Sequence, residues 1–467
     1  MTTNLEQLLA ALPATDAAED VELSPRTRPI PTGRLARLWT VGAMQAQIAA
    51  AYASMWVRTF FDGARQRELV ETHLASALRL FEGMTYLRGA VMKVGQALAT
   101  YPNLVPHEVA DTLARLHFDA PPMHFALIRE QLENELDRDL DEVFADFDER
   151  AFSAASLGQV HRARLRNGER VAVKIQYPGI AETIRSDMRN LTAILSPLRL
   201  TRDWDNISAH LAEVREVLDA EVDYESEAEN TERARALFKP EDGVVVPRVH
   251  REASTARVLT MDYVDGIHLD DWLATNPSQS ERDAFGEKMY TVAFRFYYAG
   301  RSAYADPHPG NYLFMSDGRL GLIDFGCVPR YSDEEWALLG EMDMMIHRGR
   351  NELREALVRF CDLTSAEAND EERMALIEES YRWNIETLFH QPFDFSDPRH
   401  LQIGMSVFAR AIAKRYTRSH PVQLYLSRTI LGLRSMLYTM KARVDVRAIR
   451  AREIRATGWD WLDQVEL

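Results

Sequence analysis

The sequence predicts an α+β protein of two lobes preceded by a helical region, and three observations carry that prediction. Apolar residues recur at helical spacing from about 35 to 137, broken only by Pro102, Pro106 and the Pro121-Pro122 pair. From about 143 the texture changes to short strand-like runs. From 333 onward it is helical again. Strands with a helix, then a mainly helical half, make a two-lobed arrangement. The expected divisions are an arm at 1–34, a helical extension at 35–137, a mixed lobe at 138–265 and a helical lobe at 266–467.

The arm holds a short helix near Leu5–Leu12 and ends in SPRTRPIPTGR, where Pro25, Pro29 and Pro31 exclude helix. Within the extension, Leu38 to Val57 is a charge-free stretch bracketed by Arg37 and Arg58. It is long enough to cross a bilayer, but Thr40, Gln45, Gln47, Ser54 and its many alanines make it a poor span. It reads as a helix packed in protein. The rival reading is an interfacial helix, with Arg26, Arg28, Arg34 and Arg37 on anionic lipid and Trp39, Met44, Ile48, Met55 and Trp56 dipping in. VHRARLRNGERVAVKIQY reads as a hairpin turning at Asn167-Gly168. A long amphipathic helix follows at about 206–237, then strand-like VVVPRV and TARVLTMDYV. A helix near 279–299 precedes RLGLIDFG.

Composition narrows the function. The chain has 467 residues with 71 acids against 55 bases, a net charge of −16. Such a chain will not coat nucleic acid, whose phosphates need many lysines and arginines. Two cysteines, Cys327 and Cys361, exclude a disulfide framework and fit a reducing cytosol. The N-terminus lacks a signal peptide's basic start and apolar stretch. The charged ending VRAIRAREIRATGWDWLDQVEL offers no membrane helix. The expectation is a cytoplasmic protein without a transmembrane helix, peripheral at the inner membrane if it docks at all.

The chemistry concentrates in YADPHPGNYLF. Asp306 and Asn311 are separated by four intervening residues, as in the catalytic loop of protein kinases, where the Asp orients an acceptor hydroxyl and the Asn binds metal. The apolar run Gly321-Leu322-Ile323 then ends in Asp324-Phe325-Gly326. Two carboxylates and an amide suit Mg²⁺, which prefers oxygen ligands. Upstream, Val171-Ala172-Val173-Lys174 resembles the strand that places a lysine on the α/β-phosphates of ATP. Each piece alone is weak, since a VAVK run is a strand ending in a charge and DFG arises by chance. Their order is what is hard to obtain by accident.

The departures identify the family. Aligning Val160 with the valine of G-x-G-x-x-G-x-V leaves Gly158 as the loop's one glycine, in Ser153-Ala154-Ala155-Ser156-Leu157-Gly158-Gln159-Val160. With KxGQ at Lys93–Gln96, ExD at Glu221–Asp223 and DPHPGN at 306–311, the chain resembles the UbiB/AarF (ADCK-type) family of atypical kinases over roughly 85–440. The resemblance implies a bilobal protein-kinase-like fold whose helical extension covers the nucleotide site. It implies ATP or ADP with Mg²⁺ as cofactors, and an isoprenoid or quinone-type lipid as partner. Carried over, Lys174 holds the ATP phosphates with Glu227 as its ion-pair partner, and Asp306 takes the catalytic position. Asn311 and Asp324 bind metal. Met261, Asp262 and Val264 form the adenine hinge, and Ser153, Ala154, Ala155, Ser156 and Gln159 the phosphate loop. Lys93, with Gln96 on the KxGQ helix, reaches Glu221 and Asp223. The alanines bar the close backbone approach that glycine permits, so they alter nucleotide geometry.

No A-P-E follows Asp324, so a peptide platform is missing and ordinary protein kinase activity is not expected. The expected function is a slow Mg-dependent ATPase supporting isoprenoid-quinone or related lipid metabolism at the membrane surface. The alternatives are a small-molecule or lipid phosphotransferase and a nucleotide-gated scaffold. His308 reads as a structural hydrogen-bonder, because Mg²⁺ avoids imidazole. The Met342–Met345 cluster reads as core.

Overall fold

A computed structural model describes residues 123–155, 157–182, 184, 185, 188, 189, 215, 219, 221–345, 350–414, 416 and 421–457. The arm, most of the helical extension, the 38–57 stretch, Lys93, Gln96 and Ser156 lie outside these residues. So does any covering of the site by the extension.

Helix α1 (Phe125–Leu136) starts at His124, whose ring accepts the Ala126 N–H, and presents Ile128 and Leu132 to the core. The short α2 (Leu140–Val143) leads into β1 (Phe144–Phe147). Strands β2 (Ser153–Ala155), β3 (Gly158–Leu165) and β4 (Arg170–Gln176) follow. The β3–β4 hairpin turns where predicted: Gly168 has φ +89°, a left-handed conformation that glycine enters without steric cost. Strand side chains alternate between faces. Val171, Val173 and Ile175 therefore all enter the core against Ile128 and Leu132, which share one cluster with them. At roughly 1.5–3 kcal/mol per buried aliphatic side chain, this face holds α1 on the sheet. At Gly158 an added Cβ would sit 2.1 Å from the Ile175 carbonyl oxygen, so the strands can approach this closely only with glycine there.

The sheet runs β1-β3-β4-β6, with β2 beside β3 and every pairing antiparallel. Before β6 (Val258–Asp262) come helix α3 (Tyr224–Leu237) and strand β5 (Val244–Val245). The predicted 206–237 helix is interrupted. Val222 is in a turn, and Asp223 caps a fresh N-terminus by accepting the Ser226 N–H at 3.1 Å. An aspartate that can satisfy orphan amides favours starting a helix over continuing one.

The second lobe is built on α4 (Leu269–Ala274) and α5 (Gln279–Tyr298), the latter opened by a Ser278/Glu281 capping box. Strands β7 (Tyr312–Phe314) and β8 (Leu320–Leu322) pair antiparallel, and β5 joins β8 in parallel. The VVVPRV run thus begins on this lobe's sheet. Arg295 binds Asp242 bidentately at 3.1 Å and also Glu453, tying α5 to the chain's last described helix. The helical remainder comprises α6 (Asp333–Met344), α7 (Arg350–Phe360), α8 (Ser365–Ala368), α9 (Glu371–Ile385), α10 (Pro398–Ala413), α11 (Pro421–Met440) and α12 (Val446–Ala456). One departure is a ribbon of β9 (Phe393–Asp394) with β10 (Arg443–Val444), each too short to show a periodicity. Of the predicted methionine cluster, Met342 is core and Met344 is exposed. No described helix is long and apolar enough to cross a membrane.

Candidate functional site

Lys174 is where strand alternation makes chemistry. Val173 and Ile175 on either side of it point into the core, so Lys174 emerges on the opposite face, toward α3. Its ammonium donates to Glu227 Oε1 at 2.9 Å and Oε2 at 2.8 Å, and to Asp324 Oδ2 at 3.3 Å. The Tyr224 ring lies 4.9 Å away. Burial works against the lysine's charge, but Asp324 and Glu227 together outweigh it and hold its pKa well above the ordinary range. Burial pushes the Glu227 carboxyl up to about 7, more than the lysine pulls it back, and Asp324 adds to the rise.

Asn230, one turn beyond Glu227, donates its amide to the Phe325 carbonyl at 3.0 Å. Helix α3 therefore holds the lysine and the DFG segment at once. Asp324 Oδ1 accepts the Gly326 N–H at 3.0 Å. In the DPHPGN loop, Asn311 Nδ2 donates to the Asp306 carbonyl at 2.8 Å and to its Oδ2 at 3.1 Å. His308 Nδ1 accepts the Gly310 N–H at 3.0 Å, the structural role expected of it. The loop is tied to the segment after DFG by Ala305 N–H on the Cys327 carbonyl, and Ile323 N–H binds the Asn311 carbonyl.

The donors fit Mg²⁺. Asn311 spends its amide nitrogen on Asp306, which leaves its Oδ1 without a partner among the described residues, and Asp324 supplies a carboxylate. Among the described residues no cluster of three His, Cys, Asp or Glu forms a ready-made cage. A small hard cation that keeps water and takes substrate phosphates needs none.

The hinge residues lie at the end of β6. Met261 is buried, the Asp262 N–H binds the Arg248 carbonyl, and the Asp262 carboxylate meets His250 Nε2 at 2.8 Å. The Val264 N–H has no acceptor among the described residues. The Val264 side chain packs where a Cβ on Gly321 would sit, 2.8 Å from its Cγ1. Ser153, Ala154 and Ala155 form β2 rather than an open loop, opposite Val160, Gln159 and Gly158.

Gln159 is turned away from Lys174. Val160 faces Lys174 across the hairpin while Gln159 faces Ile175, so the Gln159 side chain lies on the sheet's other face. There it is buried, accepts the Met123 N–H at 3.0 Å and meets His161 Nε2 at 2.8 Å. It anchors the entry to α1. Asp223 spends its carboxylate on the α3 cap. Glu221 is close enough to raise the pKa of both Tyr224 and Glu227.

Two contributors escaped the motifs. Asn230 shares a helix face with Glu227, a spacing that could have been read. Arg428 on α11 comes within 3.8 Å of Asp306 Oδ1, and nothing local in the sequence announces it.

Cys327 and Cys361 are held as thiols rather than thiolates. Burial pushes the Cys327 thiol up to about 11 and the Cys361 thiol up to about 12. At pH 8 the native protein is expected to react with a thiol probe about a hundredfold more slowly than an ordinary cysteine, from roughly two pKa units at Cys327. Timed labelling with and without urea checks this, and equal rates in both would contradict it.

Residues 115–357 match the family model of the ABC1 atypical kinase-like domain. The chain belongs to that family, which bears out the UbiB/AarF resemblance. It is 30% identical over 315 residues to the mitochondrial atypical kinase COQ8B of Danio rerio, covering 66% of this chain and 50% of the relative. It is 32% identical over 317 residues to the mitochondrial atypical kinase coq-8 of Caenorhabditis elegans, covering 65% and 41%. The chain thus spans about half the length of these curated relatives. In fold it is similar to Rv3197 of Mycobacterium tuberculosis, solved as a complex with erythromycin. The TM-score is 0.58 at 24% identity, over 84% of this chain and 98% of that one.

Proposed function

We propose that this ABC1-family chain binds Mg-ATP and hydrolyses it slowly, in support of isoprenoid-quinone or related lipid metabolism at a membrane surface. The observation that carries the reading is the buried Lys174–Glu227 pair set 3.3 Å from Asp324. A lysine kept charged in a half-dry cleft serves little purpose in packing and suits the α/β-phosphates of a nucleotide. Adenine would lie along 261–264, where the Val264 N–H has no acceptor among the described residues. Asp306 would accept the proton of the attacking water. Asn311 and Asp324 would hold Mg²⁺, which when bound neutralises charge on the phosphate oxygens. The lipid part of the reading is supported by the motif set and by the COQ8 relatives.

The test is ADP release from ATP by the purified full chain, with Mg²⁺ or EDTA, and with or without vesicles containing an anionic phospholipid and an isoprenoid quinone. Slow turnover that needs Mg²⁺ and rises with the vesicles is expected. Nucleotide-induced thermal stabilisation without turnover in any condition would overturn the ATPase in favour of a scaffold. Appearance of a phosphorylated acceptor would overturn it in favour of a phosphotransferase.

A further inference from the structure

The catalytic loop lacks a cation of its own. Between Asp306 and Asn311 the chain reads Pro-His-Pro-Gly, with no lysine or arginine, and the His308 ring is turned back on the Gly310 amide. Lys174 is paired with Glu227 and Asp324. A terminal phosphate entering between Asp324 and Asp306 would meet two carboxylates, and transferring it spreads further negative charge over its oxygens. Beyond the Mg²⁺ that Asn311 and Asp324 would hold, any further charge of the other sign has to come from elsewhere in the fold.

Helix α11 supplies it. Arg428 Nη2 lies 3.8 Å from Asp306 Oδ1, its one ion-pair partner among the described residues. That is an ion-pair distance and too long for a hydrogen bond, so the guanidinium donors are not spent on the carboxylate. Arg428 is 32% exposed and Asp306 42%, so both reach solvent. The helix is firmly seated. Thr429 Oγ1 donates to the Tyr304 carbonyl at 3.1 Å. A Cβ on Gly432 would lie 2.3 Å from Pro307 Cγ, so the α11 backbone rests directly on the loop. Leu433, Met436 and Leu437 share a core cluster with Tyr304 and Phe325.

We propose that Arg428 is the cation that binds the terminal phosphate of the nucleotide and neutralises its oxygens as that phosphate is transferred. This rests on the ATP reading above. The water oxygen forms the new bond to phosphorus and the bond from phosphorus to the bridging oxygen breaks. ADP leaves with that electron pair, and the water proton passes to Asp306. Arg428 forms no covalent bond. Its planar fork meets two phosphate oxygens at once, which a lysine ammonium does less well.

The experiment compares wild type, Arg428→Gln and Arg428→Lys as full chains. It measures dissociation constants for ATP and ADP by calorimetry, then turnover. For Arg428→Gln the expected result is unchanged ADP affinity, loss of any preference for ATP over ADP, and turnover reduced about a hundred- to a thousandfold. Arg428→Lys should recover part of both. Thermal melting without nucleotide shows whether the variants fold. Equal weakening of ATP and ADP, or an intact ATP preference in a folded Arg428→Gln, overturns the proposal while leaving the ATP reading standing. A wild type that binds neither nucleotide overturns both.

Discussion

Asp324→Asn is expected to lower Mg-dependent ATP turnover at least about a hundredfold, a loss typical of deleting one charge-stabilising group from a reacting site. The change is close to isosteric, and an amide oxygen can still accept the Gly326 N–H that Asp324 Oδ1 accepts now. What disappears is the charge. The Lys174 ammonium loses one of the carboxylates that keep it protonated, and the Asp324 contribution to raising Glu227 goes with it. Nucleotide should still bind, but its affinity should lose most of its dependence on Mg²⁺. Titrating Mg²⁺ against nucleotide-induced thermal stabilisation separates this from misfolding. Unchanged turnover would place the metal elsewhere and remove the reading.

Lys174→Met is expected to cost stability as well as nucleotide binding. Glu227 is only 3% exposed, and removing its partner strands a buried carboxylate. Breaking such a pair from one side typically costs about 3–5 kcal/mol. Protonating Glu227 relieves part of that, and this fixes the pH dependence. Its folded pKa of about 7 lies above the usual 4.5, so the folded state holds the proton more tightly. Stability from this group is complete below pH 4.5 and is lost as pH rises through 7. Without the lysine the folded pKa climbs further and the decline continues to higher pH. The deficit against wild type should therefore be larger at pH 8 than at pH 6 in urea unfolding, and Lys174→Met/Glu227→Gln should recover much of it. An equal deficit at both pH values would mean that Glu227 is not the stranded group.

The parts of the molecule written in local pattern were legible without coordinates. The Asn167-Gly168 turn, the alternation that separates Lys174 from Val173 and Ile175, and the D-x₄-N spacing each lie within a few residues. Local pattern had no access to the tertiary partners. The face taken by Gln159 follows from strand register, yet its role depends on Met123, far back in the chain. Asp223 reads equally well as a helix-face acid or as a cap until the break at Val222 is known. Arg428 becomes part of the site only because Gly432 lets α11 lie against Pro307.

The shared face of α3 has a mechanical consequence. Glu227 and Asn230 act as two teeth of one latch, one closed on the lysine and the other on the DFG backbone. A helix residue advances about 100° around the axis, so a rotation by one position withdraws both teeth together. Lysine anchoring and DFG placement therefore depend on one helix, and a rotation of α3 would disturb both.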